Sequence, residues 1–489
     1  MSDTVPFAQI VLIVGVVGLL AVLSSRLSER IRVPTPIVFL AAAAAAVHLI
    51  PALHHPAEQV VERVVTVALI CILFDGGMHI GWNRFRSSAT PIVVVGVIGT
   101  FFTVAAAAAF VHVAFGLSWY VALLAGTAIA PTDPAVVFSV LGQREIAGRS
   151  GTILEGESGA NDPVGIALMG SLIAAGSLGG GAFAHVAGRF ALEMGVGALV
   201  GLGAGMVLLW FMRHVPLPSE GLYPVRTLAF AFATYGLATV VHGSGFLAVF
   251  VTGILVGDAR APFKREVERF HSAIASLGEI TAFVVLGLTV DLSVIAHSNV
   301  WIPGLLVGIV LAVVIRPIAV GLCLIPVDLS GRERAFVLFA GLKGAVPILL
   351  GDLILSAHVS DPQRLYGIVI VVVTFSVLVQ GSLVPTVAGW LRLPMRTVEP
   401  SPWSIGVRLK DEPEGAQRLI VASGSPAEGR TIDEVAQLPG TPWVCFVVRD
   451  GALVTDREQL RLTAGDEVLV LADGELTEEL SATFDTPAQ

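Results

Sequence analysis

Charged residues and cysteines are both scarce in this chain. Of its 489 residues, 14% are charged and 55% are hydrophobic, and its mean hydropathy is +0.83. These values exclude an ordinary soluble globular protein, because such chains carry about 25% charged residues. The three cysteines, Cys71, Cys323 and Cys445, are scattered, so the sequence predicts neither a disulfide framework nor a cysteine-based metal site.

Motifs of soluble enzymes are also missing. The sequence contains no phosphate-binding Walker loop, dinucleotide fingerprint, zinc pattern or nucleophile elbow. We therefore expect no enzymatic activity, no cofactor and no nucleic-acid partner, and we do not expect hydrolysis to supply energy.

Long apolar segments fill residues 7 to 390, and each is long enough to cross about 30 Å of hydrocarbon as a helix. We expect an all-α polytopic membrane protein embedded in the lipid bilayer, and we predict its first apolar segment to be a retained span rather than a signal peptide. Breaks at charged, Pro and Gly clusters predict thirteen spans near 7–24, 33–50, 60–80, 91–115, 118–142, 151–176, 183–212, 225–242, 245–258, 271–296, 300–327, 333–357 and 364–390. At residues 242–245 the alternative is one re-entrant hairpin in place of two short spans.

The distribution of Lys and Arg predicts the orientation. Seventeen of these residues lie in alternate loops on one side of the predicted spans, whereas Arg63, Arg189 and Arg364 lie on the other. Because positive loops stay in the cytoplasm, we expect the N-terminus outside and the C-terminal domain inside, in a prokaryotic plasma or inner membrane.

Two polar clusters interrupt the apolar segments. Residues 155–163 read Glu-Gly-Glu-Ser-Gly-Ala-Asn-Asp-Pro, and residues 130–134 read Ala-Pro-Thr-Asp-Pro. Pro134 removes a backbone donor within what is otherwise a spanning helix. Intramembrane acids cost roughly 2.5 to 3.5 kcal/mol each on insertion scales, so they tend to be kept where they face a cavity. The clusters therefore predict an ion-coupled transport site.

Span 12 is interrupted by Gly341, Gly344 and Pro347, seven spans after the interruption of span 5. Matching interruptions predict inverted repeats, made of spans 1 to 6 and 8 to 13 with span 7 as the linker. The site is then expected at the midplane, where the broken helices of spans 5 and 12 cross.

The spacing of span 6 places Glu157 and Asn161, and Ser158 and Asp162, one helical turn apart on one stripe. Burial favours the protonated form of a carboxyl group and a bound cation favours its ionised form, so the two ions compete for one group. If Asp162 carries either a proton or a cation, and the empty charged site cannot cross the membrane, the result is antiport. Asp133, the Thr132 hydroxyl and freed carbonyls supply oxygen ligands that suit K⁺ or Na⁺.

Arg316 and Lys343 lie within apolar segments, where a cation needs an acidic partner or a group of carbonyls. Glu157, Asp133 and Asp162 are the candidate partners. For the remaining intramembrane acids, Asp75, Glu279, Asp291 and Asp352, we favour structural roles.

Three motifs carry a resemblance, and they are residues 157–163 (Glu-Ser-Gly-Ala-Asn-Asp-Pro), 132–134 (Thr-Asp-Pro) and 341–347 (Gly-Leu-Lys-Gly-Ala-Val-Pro). Together they resemble the monovalent cation/proton antiporter superfamily, specifically NhaP-like sodium or potassium/proton exchangers, over about residues 7 to 392. The resemblance implies a homodimer, a six-helix core that moves like an elevator, and electroneutral exchange because the span 6 pair is Asn-Asp.

The resemblance also implies roles for the site residues. Asp162 is expected to carry cation and proton, with Asp133, Thr132 and Ser158 in ion binding. Glu157 is expected to pair with Arg316, and Asn161 to hold the unwound backbone. Two positions depart from the family: Lys343 stands where Arg is usual, as a second cation that can titrate, and Asp75 stands where Glu is more common.

The last hundred residues are polar. We place the transmembrane domain at 1–396, a linker rich in Pro and charge at 397–416, and an α/β module at 417–489. The module is predicted to have strands near 418–422, 442–448, 452–455 and 467–472, turns at 450–451 and 465–466, and a helix over 432–437 with a capping box from Thr431 to Glu434.

This module resembles the TrkA-C regulatory domain of potassium conductance regulators. The resemblance implies dimerisation and, in some members, binding of a small regulatory ligand such as a cyclic dinucleotide. A dimerisation or stability module without a ligand remains the alternative. The attachment of a TrkA-C-like module favours potassium over sodium as the exchanged cation, by analogy alone.

The main hypothesis is a secondary antiporter that exchanges cytoplasmic K⁺ or Na⁺ for external H⁺ and is tuned by its tail. One alternative is a tail-gated monovalent cation channel, which needs no titrating carrier. The other is an ion sensor that does not transport.

Overall fold

The computed structural model describes residues 34–397 apart from short gaps at 50–56, 142–143, 147–148, 180, 260, 293–298, 356, 358 and 394. It also describes 416–435, 443–449, 452–454, 460–471 and 483–484, with three isolated residues, Gly15, Gly18 and Leu19. The turn at 450–451 and nearly all of the predicted span 7–24 and of the linker lie outside the described residues. The chain divides into two compact units, Met1–Val398 and Glu399–Gln489.

In the first half of the membrane unit, the described residues form seven helices: α1 (Thr35–Leu49), α2 (Glu58–Val93), α3 (Thr100–Phe115), α4 (Trp119–Ile129), α5 (Pro134–Leu141), α6 (Arg149–Ala175) and α7 (Ala182–His214). A π-helical segment, Val94–Gly99, joins α2 to α3. Helix α2 is bent at Gly81, with φ 64°, and at Ser88, so the predicted spans 3 and 4 follow each other without a loop.

In the second half, the part of the chain that the structure describes forms nine helices: α8 (Leu222–Val240), α9 (Gly245–Gly257), α10 (Lys264–Leu288), α11 (Trp301–Val310), α12 (Arg316–Leu324), α13 (Gly331–Phe339), α14 (Ala345–Leu355), α15 (Pro362–Phe375) and α16 (Ser382–Trp390). The π-helical segments Leu311–Ile315 and Ser376–Gly381 join α11 to α12 and α15 to α16. Between α8 and α9 the chain turns through His242, whose φ is 61°.

Six helical stretches in the described part are long and apolar enough to cross a membrane. They are Gln59–Phe115, Trp119–Leu141, Ala182–His214, Lys264–Leu288, Trp301–Leu324 and Pro362–Trp390. Helix α6, which bears the acidic cluster, has 27 residues and is buried along most of its length. The prediction of a mostly helical, multi-pass membrane protein is confirmed.

Helix α2 packs tightly against α9 because small residues face each other. A Cβ atom added to Gly77 would lie 2.5 Å from the carbonyl oxygen of Phe250, so a larger residue would separate the helices. Such close approach between backbones is how helices associate where no water drives them together.

A small sheet in the membrane unit departs from the all-α prediction. Strand β1 (Arg144–Ile146) pairs antiparallel with β2 (Met395–Thr397), with Glu145 opposite Arg396. Both segments follow predicted spans, at 118–142 and 364–390. Three-residue strands are too short to show alternation, and their partners are about 250 residues apart, so no local pattern indicates this pairing.

The tail unit contains a four-stranded antiparallel sheet in the order β3-β6-β4-β5. Its elements are β3 (Ala416–Ile420), α17 (Ile432–Val435), β4 (Trp443–Arg449), β5 (Ala452–Leu453) and β6 (Glu467–Leu471). The predicted capping box is present: the Glu434 N–H donates to Thr431 Oγ1 at 3.3 Å, and the Thr431 N–H donates to Glu434 Oε2 at 2.8 Å. The predicted small sheet at the C-terminal end is confirmed.

Candidate functional site

Two helix breaks meet inside the membrane unit. Helix α4 ends at Ile129 and α5 begins at Pro134, and α13 ends at Phe339 while α14 begins at Ala345. The Asp133 N–H donates to the Leu342 carbonyl at 2.8 Å, which joins the two breaks directly. The interruptions predicted in spans 5 and 12 therefore lie against each other.

Glycine permits this contact. A Cβ atom on Gly344 would collide with the Asp133 carboxylate, and one on Gly341 would collide with the guanidinium of Arg316. The two glycines of the second break thus leave room for the two charged side chains that reach it.

Asp133 begins helix α5 as well as facing the site. Its Oδ1 accepts a hydrogen bond from the Ala135 N–H at 2.9 Å, so it caps the helix. Its side chain is partly exposed, and its charge interacts with that of Asp162.

Asp162 is the buried carboxylate of the site, with a relative exposure of 8%. Its Oδ1 has no hydrogen-bond partner within the described part of the chain. Ser158 lies one turn earlier on α6 and is also buried. A buried oxygen without a partner is costly, so it points to a ligand that the site takes up.

Asn161 and Thr132 hold the first break against α6. The Asn161 Nδ2 donates to Thr132 Oγ1 at 2.8 Å, and the Thr132 N–H donates to Asn161 Oδ1 at 3.3 Å. The Thr132 hydroxyl also donates to Glu157 Oε1 at 3.5 Å. The break is thereby fixed to the helix that carries Asp162.

Glu157 and Arg316 form a buried pair. Arg316 donates from Nη1 to Glu157 Oε1 at 2.6 Å and from Nη2 to Oε2 at 2.9 Å. Its Nε and Nη2 also donate to the Leu338 and Val337 carbonyls, at 2.9 and 3.0 Å. The guanidinium therefore ties α6 to the end of α13, and both charges are compensated.

Lys343 binds backbone carbonyls rather than a carboxylate. Its Nζ donates to Ala130 O at 2.8 Å and to Pro131 O at 3.1 Å. These carbonyls lie at the C-terminal end of α4, where the helix dipole favours a cation. The freed carbonyls that the sequence analysis offered as ion ligands are thus in part bonded by Lys343, although its charge still acts on Asp162.

Two residues that support the second break, Ser376 and Gln380, were not predicted from the sequence. The Lys343 N–H donates to Ser376 Oγ at 3.1 Å, the Ser376 hydroxyl donates to Gln380 Oε1 at 3.2 Å, and Gln380 Nε2 donates to Phe339 O at 2.5 Å. Their signal in the sequence is that Ser376 and Gln380 are polar and lie four residues apart within an apolar span, which places them on one helix face.

The chain as a whole is similar to known proteins. The family described as "Sodium/hydrogen exchanger, transmembrane" matches residues 16–390. The K(+)/H(+) antiporter NhaP of Alkalimonas amylolytica is 31% identical over 469 residues, which cover 94% of this chain and 80% of the relative. The K(+)/H(+) antiporter NhaP2 of Shewanella oneidensis is 31% identical over 475 residues, covering 95% and 81%.

A solved structure shows the same fold. The sodium proton antiporter MjNhaP1 from Methanocaldococcus jannaschii superimposes with a TM-score of 0.65 at 23% identity, covering 78% of this chain and 100% of that chain. The family match spans most of the chain and includes both breaks and helix α6. The chain therefore belongs to the sodium/hydrogen exchanger family, as a multi-pass membrane antiporter of the NhaP type and not an enzyme.

Proposed function

We propose that the protein exchanges cytoplasmic potassium or sodium for external protons, one for one, by competition at Asp162. The observation that carries this proposal is the buried Asp162 Oδ1 beside two helix breaks, which has no hydrogen-bond partner among the residues that the structure describes. An oxygen that is buried and unbonded gains from either a proton or a dehydrated cation, but it cannot hold both.

We propose that oxygen atoms from α6 and from the first helix break bind the cation. Asp162 Oδ1, the Asp133 carboxylate and the hydroxyls of Ser158 and Thr132 are the ligands we propose. Hard oxygen donors of this kind bind K⁺ and Na⁺ without a soft ligand. Glu157 and Arg316 neutralise each other and hold the surrounding helices, so they are assigned to the framework.

Electroneutral exchange follows from a single carrier carboxylate. Asn161 is neutral and is bonded to Thr132, which leaves Asp162 to alternate between a cation and a proton of equal charge. The rate of exchange should therefore stay the same when a thiocyanate gradient sets a membrane potential of either sign.

Potassium is the cation we favour. The relatives from Alkalimonas amylolytica and Shewanella oneidensis, which match over more than 90% of this chain, are named K(+)/H(+) antiporters. The Na(+)/H(+) antiporter ApNhaP of Aphanothece halophytica matches only 67% of it, at 28% identity.

The wider arrangement is proposed by resemblance. It comprises inverted repeats, a homodimer in the inner or plasma membrane, an elevator-like motion, and a cytoplasmic tail of TrkA-C type that tunes exchange by dimerising or by binding a small nucleotide. The four-stranded antiparallel sheet of the tail is compatible with that module.

The test is cation-induced proton movement in proteoliposomes that contain a pH-sensitive dye. K⁺, Na⁺ and Li⁺ are compared for wild type, Asp162→Asn and a control, Asp361→Asn, whose exposed residue has a φ of 56° that Asn accepts. We expect Asp162→Asn to abolish exchange and Asp361→Asn to retain it.

The cation with the lowest half-saturating concentration then identifies the substrate. Cation flux that survives in Asp162→Asn without proton movement would support a channel and contradict the proposal. Vesicles in which no cation moves protons would support a sensor.

A further inference from the structure

Two short strands join helix ends that lie far apart in the chain. Strand β1 (Arg144–Ile146) lies in the connection between α5 and α6, and β2 (Met395–Thr397) follows α16. Their register runs from Arg144 opposite Thr397 to Ile146 opposite Met395. We call this antiparallel pair the strand clip. Both strands lie in basic segments that the positive-inside rule places in the cytoplasm, so the pairing agrees with the predicted orientation.

The strand clip is packed into the membrane unit. Ile146 is 8% exposed and belongs to the hydrophobic core, and Met395 packs against that core. A Cβ atom added to Gly151, in the first turn of α6, would lie 3.2 Å from the Ile146 carbonyl oxygen. Leu393, just before β2, is also buried. Because packed interiors are dense, a shift of the clip shifts the helix ends that it contacts.

On the β1 side, the clip holds both helices that bear the acids of the cation site. Helix α5 begins directly after Asp133 and ends three residues before β1. Helix α6 begins three residues after β1 and carries Asp162. The eight residues of α5 span about 12 Å, so one short helix separates the clip from the first break.

On the β2 side, the clip follows the segment that supports the second break. Within the π-helical segment before α16, Ser376 accepts the Lys343 N–H and Gln380 donates to the Phe339 carbonyl. This segment and α16 also pack against α5. The clip therefore joins, at one end of the membrane unit, the elements that hold both breaks.

The tail unit is attached to the chain at the clip. The compact unit Glu399–Gln489 begins two residues after Thr397, the last residue of β2. The covalent connection from the tail to the membrane unit thus enters at β2. A restraint that the tail places on this connection acts first on the strand that is paired with β1.

We propose that the strand clip is the device through which the tail acts on exchange. The state of the tail passes through β2 to β1, and from β1 through α5 and α6 to Asp133 and Asp162. The clip works as a closed connector and supplies no ligand to the cation site. The inference rests on the proposed function, because it requires an exchange that the tail tunes.

The first experiment is a double-mutant cycle in proteoliposomes of the full-length protein, with K⁺-driven proton movement as the readout. Arg449→Ala weakens the tail sheet, where Arg449 binds Asp466. Glu145→Pro opens the clip, because proline has no N–H and resists sheet pairing. We expect Arg449→Ala to shift the half-saturating K⁺ concentration at least about fivefold with the clip intact, but less than about twofold in Glu145→Pro.

Hydrogen exchange checks that Glu145→Pro opens residues 144–146 while α6 stays protected. Gly203→Ala is the control background, since nothing lies within 4 Å of an added Cβ there. In that background the shift caused by Arg449→Ala should keep its full size. A further variant, with Gly-Ser-Gly-Ser inserted after Val398, leaves the clip closed but adds slack between it and the tail. It should lose the shift as Glu145→Pro does.

The second experiment closes the clip permanently. Ile146→Cys with Met395→Cys places two thiols opposite each other, where Cα atoms about 4.5–5.5 Å apart suit a disulfide. With the bridge oxidised, we expect exchange within about twofold of the reduced protein and the full shift by Arg449→Ala, because a connector need not open. Each single cysteine variant, treated with the same oxidant, is the matched control.

The proposal is overturned if the shift survives in Glu145→Pro or in the insertion variant, if the oxidised bridge removes it, or if the bridge does not form. It is also overturned if Arg449→Ala causes no shift with the clip intact. If Glu145→Pro does not fold, the insertion variant and the bridge decide.

Wild type and Asp162→Asn in the same preparation separate the two hypotheses. If wild type exchanges and Asp162→Asn does not, the proposed function holds and the strand clip is judged on its own results. If wild type moves no protons in response to any cation, the proposed function fails and the inference about the clip fails with it.

Discussion

The Glu157–Arg316 pair shows how much one buried contact contributes to the site. Both side chains are buried, at 2% and 4% exposure, and Arg316 also bonds two carbonyls of α13. Loss of one partner leaves the other charge uncompensated, which costs about 3–5 kcal/mol. We therefore expect Glu157→Gln to lower the melting temperature of the purified protein in detergent markedly.

The comparison variant is Glu193→Gln, which removes a surface pair. Arg189 and Glu193 lie 2.9 Å apart with 46% and 19% of their side chains exposed, so their contribution is about 1 kcal/mol or less. Equal losses of stability in the two variants would show that the buried pair has no special role.

At this scale the sequence predicted which residues form the site better than it predicted the contacts that they make. It placed Glu157 with Arg316 by resemblance, and the structure brings the two together. For Lys343 it offered three acids or a carbonyl group, and the structure shows the carbonyls of Ala130 and Pro131. Which of these lies within reach depends on how the two broken helices cross, and spacing along the chain does not contain that information.

The contact between the two helix breaks is the central feature at the scale of elements. Gly344→Ala places a Cβ atom on the Asp133 carboxylate and so forces the breaks apart. We expect the rate of K⁺/H⁺ exchange to fall at least about tenfold while the protein still folds, because the helices on either side keep their packing. Proton flux in proteoliposomes checks the exchange rate of Gly344→Ala, and a melting curve checks that the variant still folds.

Gly203→Ala in α7 is the control, since nothing lies within 4 Å of an added Cβ there. It should exchange like wild type and gain up to about 1 kcal/mol, because alanine favours a helix over glycine. Exchange at the wild-type rate in Gly344→Ala would mean that transport does not need the breaks in contact.

Elements were predictable where their signals are local. Pro131, Pro134, Gly341 and Gly344 mark both breaks, and the helices that carry them begin and end near the predicted positions. The bend of α2 was not predicted. Next to the bend, the Asn83 N–H donates to Asp258 Oδ2 at 2.6 Å, and local sequence patterns do not contain a contact between residues 175 positions apart. The strand pair β1–β2 was missed for the same reason.

On the scale of the whole molecule, the tail unit has its own ionic lock. Asp466 is buried and accepts two hydrogen bonds from Arg449, both at 2.8 Å, and one from the Thr463 N–H at 2.8 Å. Burial alone would raise the pKa of Asp466, but the hydrogen bonds and the charge of Arg449 outweigh it and hold the pKa below its usual value.

That shift predicts how the tail responds to acid. A carboxyl group whose pKa is lowered by folding stabilises the fold above its unfolded pKa of about 3.9, and this stability is lost as the pH falls through the folded value. Arg449→Ala removes the lock, so we expect the tail strands β4 and β6 to open at a higher pH than in wild type. Pulsed hydrogen exchange after incubation at each pH measures that midpoint, with Arg430→Ala as the exposed basic control.

The same variant tests whether the two units act together. If the tail tunes exchange, Arg449→Ala should change the K⁺ dependence of proton movement at neutral pH in full-length protein, whereas Arg430→Ala should not. The reason is that a weaker tail spends more time open, and an open tail cannot transmit a bound state to the membrane unit. Unchanged exchange alongside an opened tail would assign the module to stability or dimerisation alone, the alternative that its sequence already offered.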